Sequence, residues 1–508
     1  MKYIVDGTEM KQIDAYTIQK TGIPSLVLME RAALETVKYI KKVIKKQDKI
    51  LILCGTGNNG GDGIAVGRIL YQKGYDVSVV CLGNLERQTA ETKTQYEIAR
   101  HIGVTIKTDW KTVEWNMYQL IVDAIFGIGL TRDLSGDYIS VIEAVNRSKA
   151  KVITVDIPSG IDAGTGKVKG TAVRADATVT FGYQKLGLVF YPGREYAGKV
   201  KVADIGFAKT AETTCKLHSF YFTKKDLEKL PVRKKDGNKG TFGKVLVIAG
   251  TKNVSGAAYF SAKAAYRTGA GLVKIVTVSE NRTILQTALP EALLQDYGLE
   301  DDIDKIKAVL LENLKWADTI VIGPGLRLYK TSEQILQTVL KYAEVPVVID
   351  ADAIHLLRNM EQWKKKEFSV PVILTPHLKE MSVLIGKSVD EIKNNLIETA
   401  SYEAAQNENL IVVLKDAVTI VSDGAENYIN LSGNNGMATG GSGDVLTGII
   451  AALSAQGNKP FTAASLGVYI HGLSGDISLK EKGYYGVVAD DLIDNIPKVL
   501  KKKEESLA

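Results

Sequence analysis

Short apolar runs alternate with longer amphipathic stretches along almost the whole chain. The runs are rich in Val, Ile and Leu, end in glycine or polar residues, and are typical of strands buried on both faces. They lie at residues 50–53, 76–82, 119–130, 151–160, 177–193, 243–250, 272–278, 318–325, 346–353, 371–380 and 409–423. Stretches between them, such as residues 24–46, have the apolar spacing of helices. The alternation predicts an α/β protein with mostly parallel sheets and helices on both faces.

A chain of 508 residues is too long for one ordinary hydrophobic core. The periodic pattern lapses over residues 206–236, where charged residues concentrate and Pro231 interrupts it. We therefore expect two domains, residues 1–217 and 225–508, each with a sheet between two layers of helices.

Composition excludes several classes of function. No apolar run approaches the roughly 18 residues that span a bilayer, and the first residues lack a signal-peptide pattern, so a cytoplasmic protein is expected. A net charge of +6 is mild, and no nucleic-acid partner is expected. The three cysteines are widely spaced, and Cys54 and Cys81 lie in apolar runs that predict burial. The five histidines lack the spacing of zinc ligands.

One stretch predicts an anion site more strongly than any other. Residues 433–444 read GNNGMATGGSGD and lead into apolar residues at helical spacing. A glycine loop that enters a helix presents unpaired N–H groups and the positive end of the helix dipole. Asp444 then places a carboxylate beside that site, where it can take a proton from a hydroxyl. The alternative is a glycine turn with a helix-capping aspartate.

Polar residues stand at the ends of the predicted strands in the first half. Asp62 lies in the glycine loop of residues 55–63, and Asp123, Asp156 and Ser159 end or follow later runs. The carboxyl ends of parallel strands line the binding crevice of an α/β sheet. Asparagine and aspartate oxygens there suit a hard cation or a polar ligand. Taken singly, Asp123 could equally be a helix cap.

The second half repeats this arrangement. Gly325 follows one strand, Asp350 and Asp352 follow another, and His377 follows a third. Lys415 precedes a turn between two β-rich runs and could meet a phosphate. The alternatives are a structural role for His377 and simple exposure for Lys415.

Three motifs of the first half resemble the N-terminal domain of the NAD(P)H-hydrate repair enzymes, the YjeF family. They are GTGNNGGDG, VDAIFGIGL and VDIPSGIDAGTG, and the resemblance covers residues 9–215. It implies a Rossmann-like domain that epimerises hydrated NADH and NADPH, with Asp156 as acid/base. It implies that K⁺ is held by Asn59, Asp123 and Ser159. The implied substrate-binding residues are Asn58, Asn59, Gly60, Gly61, Asp62, Gly127, Ile128, Gly129, Leu130, Thr131, Arg132, Asp133 and Asp156.

The second half resembles the ribokinase-like dehydratase domain of the same family, over residues 225–500. The motifs are NKGTFGKVLVIAG, GPG, DADA, TPH, KDAVT and GMATGGSGD, with departures from the family pattern at Leu378, Lys379 and Asp416. The resemblance implies that Gly325, His377 and Asp444 contact the hydrate and that Mg²⁺ accompanies ADP. The implied ADP-binding residues are Lys415, Asp416, Ala417, Val418, Thr419, Asn434, Asn435, Gly436, Met437, Ala438, Thr439, Gly440, Gly441, Ser442 and Gly443.

Together the two halves imply a bifunctional repair enzyme, and two alternative functions are considered beside it. The first half would interconvert the R and S hydrates, and the second would dehydrate the S form with ADP, although ATP is left open. A homo-oligomer is expected, without a membrane partner. One rival is a ribokinase-like small-molecule kinase with a non-catalytic front domain, and the other is a binding or scaffold protein.

Overall fold

The computed structural model describes the backbone of residues 1–507 and the side chains of residues 1–501. The chain forms two compact units. One comprises Tyr3–Leu217, and the other runs from His218 onward and includes Met1–Lys2. Each unit is an α/β structure.

The first unit contains a seven-stranded sheet, ordered β4-β3-β2-β5-β6-β7-β9, in which all neighbouring strands are parallel. Two short strands, β1 and β8, pair in parallel with each other. The strands are β1 (Lys2–Val5), β2 (Lys49–Cys54), β3 (Asp76–Cys81), β4 (Thr105–Lys107), β5 (Leu120–Ala124), β6 (Lys151–Val155), β7 (Ala177–Phe181), β8 (Gln184–Lys185) and β9 (Lys199–Ala203). The chain order reverses between β2 and β5, so a crevice opens at their carboxyl ends.

Helices cover both faces of this sheet. Alternate residues of β2 point in opposite directions: Ile50 and Ile52 join a core with α2 and α3, whereas Leu51 and Leu53 join a core with α5. The helices are α1 (Gly7–Gln19), α2 (Ser25–Ile40), α3 (Asn58–Gln72), α4 (Ala90–Ile102), α5 (Asp137–Arg147), α6 (Gly193–Tyr196) and α7 (Thr210–Thr214). Cys54 and Cys81 are buried in the first of these cores, as predicted.

The second unit has a larger, mixed sheet, ordered β13-β12-β11-β14-β15-β16-β17-β18-β19-β10. Strands β11–β17 pair in parallel with one another, β18 is antiparallel to β17 and β19, and β10 is parallel to β19. The strands are β10 (Ser219–Tyr221), β11 (Lys244–Ile248), β12 (Leu272–Val278), β13 (Leu293–Tyr297), β14 (Thr319–Ile322), β15 (Val347–Ile349), β16 (Val372–Leu374), β17 (Leu410–Leu414), β18 (Ile420–Ser422) and β19 (Asn427–Ile429).

The helices of the second unit include a closely packed pair, α8 and α17. A side-chain carbon added at Gly448 of α17 would lie 2.1 Å from the carbonyl oxygen of Ser261 in α8, so only glycine permits this approach. The helices are α8 (Ser255–Arg267), α9 (Arg282–Ala288), α10 (Ile303–Trp316), α11 (Lys330–Tyr342), α12 (Asp352–Leu357), α13 (Glu361–Lys365), α14 (Leu378–Ile385), α15 (Val389–Asn394), α16 (Leu396–Ala404), α17 (Ser442–Ala455), α18 (Pro460–Lys482) and α19 (Ala489–Leu507). Within the described residues, none of these helices combines the length and apolarity that a membrane crossing requires.

Two sequence predictions of local structure were wrong in part. The helix expected over residues 24–46 ends at Ile40, and Leu26 on its predicted apolar stripe is 37% exposed. Ile44 still packs against the core after the helix has ended, which explains why the apolar periodicity continues. The glycine loop expected over residues 55–63 is also shorter, because α3 already begins at Asn58.

Candidate functional sites

A cavity of about 530 Å³ lies at the carboxyl ends of the strands in the first unit. It is lined by residues from α1, the start of α3, the segment after β5, and β8. Most of the predicted substrate-binding residues line it: Asn58, Asn59, Asp62, Gly127, Ile128, Gly129, Leu130, Thr131, Arg132 and Asp156. Gly60, Gly61 and Asp133 are not among its lining residues. Gly60 and Gly61 are buried beneath the cavity floor in the first turn of α3.

Asp156 follows β6 and has a left-handed backbone conformation, with a φ of 65°. This conformation is uncommon outside glycine and is tolerated best by aspartate and asparagine. Three donors converge on one carboxylate oxygen, Oδ1: the Lys185 ammonium at 2.7 Å, the Thr180 hydroxyl at 3.1 Å and the Phe181 N–H at 3.3 Å. Among the described residues no donor reaches Oδ2. Three hydrogen bonds therefore fix the Oδ1 atom of Asp156, and its Oδ2 atom is left available to a ligand at the cavity wall.

Lys185 is the cation of this site, and the sequence analysis assigned it no role. Its side chain is 1% exposed, and its ammonium also donates to the Phe181 carbonyl at 2.8 Å. Lysine is rarely buried this completely unless it is paired. The available signal was its position as the single charged residue of the apolar stretch 177–190.

Two further carboxyl groups line the cavity. Burial raises the pKa of Asp62 well above its ordinary value, and the nearby Asp156 and Asp14 raise it further, while Lys185 opposes the shift. Burial likewise raises the pKa of Asp14, with a contribution from Asp156. Asp14 was missed because it lies in α1, far from the glycine motifs. The cavity thus contains carboxyl groups in contrasting surroundings: Asp156 is ion-paired with Lys185, whereas burial raises the pKa values of Asp62 and Asp14.

Asp123, at the end of β5, is fully buried beside Ser159. Its carboxylate accepts the Ser159 hydroxyl at 2.6 Å, the Ser159 N–H at 2.9 Å and the Thr154 hydroxyl at 3.2 Å. Burial raises its pKa, and these hydrogen bonds offset part of the shift. The Ser159 hydroxyl lies 3.3 Å from the Phe126 carbonyl, so carboxylate, hydroxyl and carbonyl oxygens meet here.

Asn59 brings an amide to the neighbourhood of this oxygen cluster. A side-chain carbon added at Gly127 would lie 3.4 Å from its Oδ1 atom, and its amide nitrogen is buried without a hydrogen-bond partner. An amide N–H without a partner is a donor, so it marks a place for an acceptor such as a ligand oxygen. Asp123, Ser159 and Asn59 thus bring oxygen atoms to one region, and no cationic side chain of the described residues pairs with Asp123.

In the second unit, α17 begins at Ser442 as predicted, directly after the left-handed Gly441. Asp444 lies in the first turn of the helix, and its backbone carbonyl accepts the Ser261 hydroxyl at 3.0 Å. Burial raises the pKa of Asp444 to about 7, and the nearby Asp350 adds to the shift while Lys415 opposes it. Among the described residues, no donor reaches its carboxylate, which leaves a base that titrates near neutral pH.

The Lys415 side chain lies next to the start of α17 and forms an ion pair with Asp350, so it is not freely exposed. Its ammonium is 2.8 Å from Asp350 Oδ1, and Thr447 of α17 donates to Asp350 Oδ2 at 2.9 Å. A side-chain carbon at Gly443 would lie 3.4 Å from the Lys415 ammonium. Burial would raise the pKa of Asp350, but the Lys415 charge and the hydrogen bonds from Lys415, Thr375 and Thr447 together outweigh it, and the pKa is lowered. A fixed positive charge therefore stands beside the N-terminus of α17.

His377 has the structural role that the sequence analysis held as its alternative. Its Nδ1 atom accepts the N–H groups of Lys379 and Glu380, each at 3.1 Å, and so caps α14. Glu380 in turn accepts the His377 N–H at 2.8 Å, which completes a capping box. The Nε2 atom lies 3.3 Å from Glu380 Oε1, and the side chain is 51% exposed. The departures at Leu378 and Lys379 leave this cap intact.

The other predicted residues of the second unit lie on loops around α17. Residues 415–419 form the connection between the antiparallel strands β17 and β18, where Val418 is buried. His377 and Lys415 are paired across neighbouring strand ends. Gly325, with a φ of 66°, lies next to Val254 and Ala257 at the start of α8. Residues 434–441 connect β19 to α17.

Comparison with known proteins covers both units. Residues 245–498 match the family model described as NAD(P)H-hydrate dehydratase, and residues 25–187 match that of the YjeF-related protein N-terminus. The bifunctional NAD(P)H-hydrate repair enzyme of Moorella thermoacetica is 36% identical over 99% of this chain and 98% of its own length. That of Thermofilum pendens is 36% identical over 98% and 96%. A ribokinase-like superfamily protein of Enterococcus faecalis superposes with a TM-score of 0.50 at 31% identity, covering 56% of this chain and 96% of its own.

Proposed function

Since the chain belongs to the bifunctional NAD(P)H-hydrate repair enzymes, we propose that its first unit epimerises hydrated NADH and NADPH and its second unit dehydrates the S epimer. The two activities complement each other, because a stereospecific dehydratase alone leaves the R epimer unrepaired. The observation that carries the proposal is one aspartate in each unit placed for proton transfer: Asp156 beside its buried lysine, and Asp444 with a pKa of about 7.

For epimerisation, we propose loss and return of the ring hydroxyl. The protonated carboxyl group of Asp62 donates its proton to the hydroxyl, the carbon–oxygen bond breaks, and water leaves. The lone pair of the ring nitrogen stabilises the carbon cation that remains. Water then adds to the opposite face, and the free Oδ2 of Asp156 takes its proton. The contrasting surroundings of the two carboxyl groups support this division into acid and base.

The same cavity supports the binding of the rest of the substrate. The start of α3, with Asn58 and Asn59, directs backbone N–H groups to a phosphate. The segment after β5 would contact the nucleotide through Gly127, Ile128, Gly129, Leu130, Thr131, Arg132 and Asp133. Of these residues, Asp133 does not line the cavity. A K⁺ ion held by Asn59, Asp123 and Ser159 would supply positive charge next to the strand ends and fix the segment that follows β5.

For dehydration, we propose that phosphorylation makes the hydroxyl a leaving group. Asp444 takes the proton of the ring hydroxyl as that oxygen attacks the terminal phosphoryl group of ADP, and the bond from that group to AMP breaks so that AMP leaves. The new phosphate ester then loses inorganic phosphate from one ring carbon and a proton from the neighbouring ring carbon, which restores the double bond of the reduced ring. Lys415 and the N–H groups at 440–443 would stabilise the charge on the transferred group. Mg²⁺, when bound with the nucleotide, supplies further neutralisation of phosphate charge.

Substrate and nucleotide would approach Asp444 from two sides. We propose that Gly325 and the exposed Nε2 face of His377 contact the hydrate. Residues 415–419 and 434–443 would contact the nucleotide. The His377 side chain is 51% exposed, so its ring edge can meet the hydrate even though Nδ1 caps α14 and Nε2 lies 3.3 Å from Glu380 Oε1. The expected homo-oligomer and cytoplasmic location remain predictions.

Two single variants test the division of labour. Asp444→Asn should retain epimerisation but lose dehydration, because an amide cannot accept the proton. Asp156→Asn should dehydrate only the S share of an epimer mixture, and asparagine tolerates the left-handed backbone there. Chiral chromatography of the hydrates follows the first activity, and absorbance of the reduced nicotinamide follows the second. Full activity of both kinds in either variant would contradict the assignment.

A further inference from the structure

One stretch of α18, residues 471–476, carries contacts that the proposed chemistry does not use. Its sequence is HGLSGD, and it packs along the segment that connects β19 to α17. The polar residues of the stretch, His471 and Asp476, bond to opposite ends of that segment. This is the segment proposed above to hold the nucleotide.

Asp476 fixes the beginning of the segment. Its Oδ1 atom accepts the Asn434 side-chain amide at 3.1 Å, and its Oδ2 atom accepts the Gly433 N–H at 3.2 Å. Asn434 in turn accepts the Gly436 N–H at 3.1 Å with its own Oδ1 atom. A carboxylate that receives two donors from one turn orders that turn, since charged acceptors form the stronger hydrogen bonds.

His471 contacts the end of the segment. Its Nε2 atom lies 3.3 Å from the hydroxyl of Ser442, the first residue of α17. Burial and, to a smaller extent, the Lys415 charge lower the pKa of His471 to about 4. The imidazole is therefore neutral near pH 7, and it can orient the Ser442 hydroxyl without adding positive charge.

Two glycines let the segment approach the helix closely. A side-chain carbon at Gly472 would lie 2.2 Å from the Ser432 hydroxyl oxygen, and one at Gly475 would lie 2.1 Å from the Met437 sulfur. At Gly472 the backbone carbonyl carbon of Ser432 is also only 2.9 Å away, so glycine is required there, whereas at Gly475 the Met437 side chain would have to move. His471 and Asp476 thus form hydrogen bonds to the segment, and Gly472 and Gly475 let it lie close to α18.

We propose that His471 and Asp476 are positioning residues that hold residues 433–442 in the conformation that binds the nucleotide. The inference rests on the proposed dehydratase function and adds residues that do not themselves touch substrate. Asp476 sets the turn at Asn434, and His471 aims the Ser442 hydroxyl at the N-terminus of α17. Loss of either contact leaves the segment free to take other conformations, so binding must then meet the entropic cost of ordering it.

The test compares Asp476→Ala and His471→Ala with Lys480→Ala, a control that removes an exposed side chain of the same helix. Binding of Mg²⁺–ADP and of Mg²⁺–ATP is measured by calorimetry on the full chain. Steady-state dehydration then gives KM separately for nucleotide and hydrate, and thermal unfolding reports stability. Gly475→Ala adds a variant that disturbs the packing of Met437 without removing a polar group.

We expect Asp476→Ala to weaken nucleotide binding about tenfold or more, and His471→Ala to weaken it by less. The KM for the hydrate should change less than about twofold, and Lys480→Ala should match the unmodified protein. Equal nucleotide affinity in all variants would overturn the inference, as would an equal rise in both KM values that parallels lost stability. If the unmodified protein binds neither nucleotide, both the proposed dehydratase function and the positioning role are overturned.

Discussion

The side-chain nitrogen of Lys185 lies 2.7 Å from Oδ1 of Asp156, and both side chains are buried in the first unit. The same ammonium donates to the Phe181 carbonyl, so its position is fixed at two points. The ion pair places a lysine charge against Asp156, in the cavity where burial raises the pKa values of Asp62 and Asp14. An ion-paired carboxylate and two carboxyl groups with raised pKa values therefore share one cavity.

The first prediction concerns removal of this cation. In Lys185→Met, Asp156 loses its ion-pair partner and Asp62 loses the positive charge that opposes its raised pKa, so each additional negative charge in the cluster becomes harder to form. The acid limb of the epimerase pH profile should therefore move to higher pH, with a fall in rate of about tenfold or more near neutrality. The profile is measured from initial rates of epimer interconversion. Lys185→Arg, which retains the charge, is the control, and an unchanged acid limb in Lys185→Met would contradict the role.

A second prediction concerns K⁺. Because a ligand that binds only the folded state stabilises it, K⁺ at about 100 times its dissociation constant should contribute about 2.7 kcal/mol. Unfolding of the first unit should shift upward by several degrees in K⁺ relative to tetramethylammonium, measured by scanning calorimetry. In Ser159→Ala, which keeps the Asp123 carboxylate, the shift should shrink. Equal unfolding temperatures in both salts would argue against the ion site.

The third prediction is the consequence of removing the proposed base. Asp444→Asn should lower the turnover of dehydration by about a hundredfold or more, since general-base catalysis contributes on that scale. Epimerisation by the same chain should be unchanged. Calorimetric binding of Mg²⁺–ADP serves as the control for an intact site. A variant that binds nucleotide and dehydrates at the normal rate would exclude Asp444 as the base.

The fourth prediction is a pH dependence with a defined sign. The pKa of Asp444 is raised to about 7, and a base must be ionised to act. Dehydration measured as kcat/KM should therefore fall as the pH drops through 7, about tenfold for each unit below it. In Lys415→Met the opposing positive charge is absent, so the midpoint should rise. A pH-independent rate between pH 5 and 8 would contradict this titration.

Much of the fold could be predicted because buried parallel strands have an obvious pattern. The strand expected over residues 272–278 is present with those limits as β12, and α17 begins in the predicted glycine loop. The glycines of the first loop were misread in part. A side-chain carbon at Gly60 would lie 1.9 Å from the Gly55 carbonyl oxygen, so this glycine permits close packing inside a helix. Composition does not distinguish that use from a turn.

The candidate sites were predictable where chemistry coincides with a strand end. Asp123 and Ser159 lie in hydrogen-bond contact, and Asp444 lies beside Lys415, as strand-end positions suggested. Lys185, Asp14 and Asp476 were not found, because each reaches its partner through tertiary packing. No local pattern encodes such a partner. His377 illustrates the converse: a conspicuous residue whose Nδ1 atom serves a helix cap.

The most direct test of the central claim uses an epimer mixture of hydrated NADH with ADP, Mg²⁺ and K⁺. Recovery of the absorbance of the reduced nicotinamide is followed on addition of the purified full chain. The account predicts recovery from both epimers, faster than spontaneous epimerisation allows and dependent on nucleotide. Recovery that stops at the S share would contradict the epimerase assignment. Failure to recover any absorbance with ADP or ATP would contradict the dehydratase assignment.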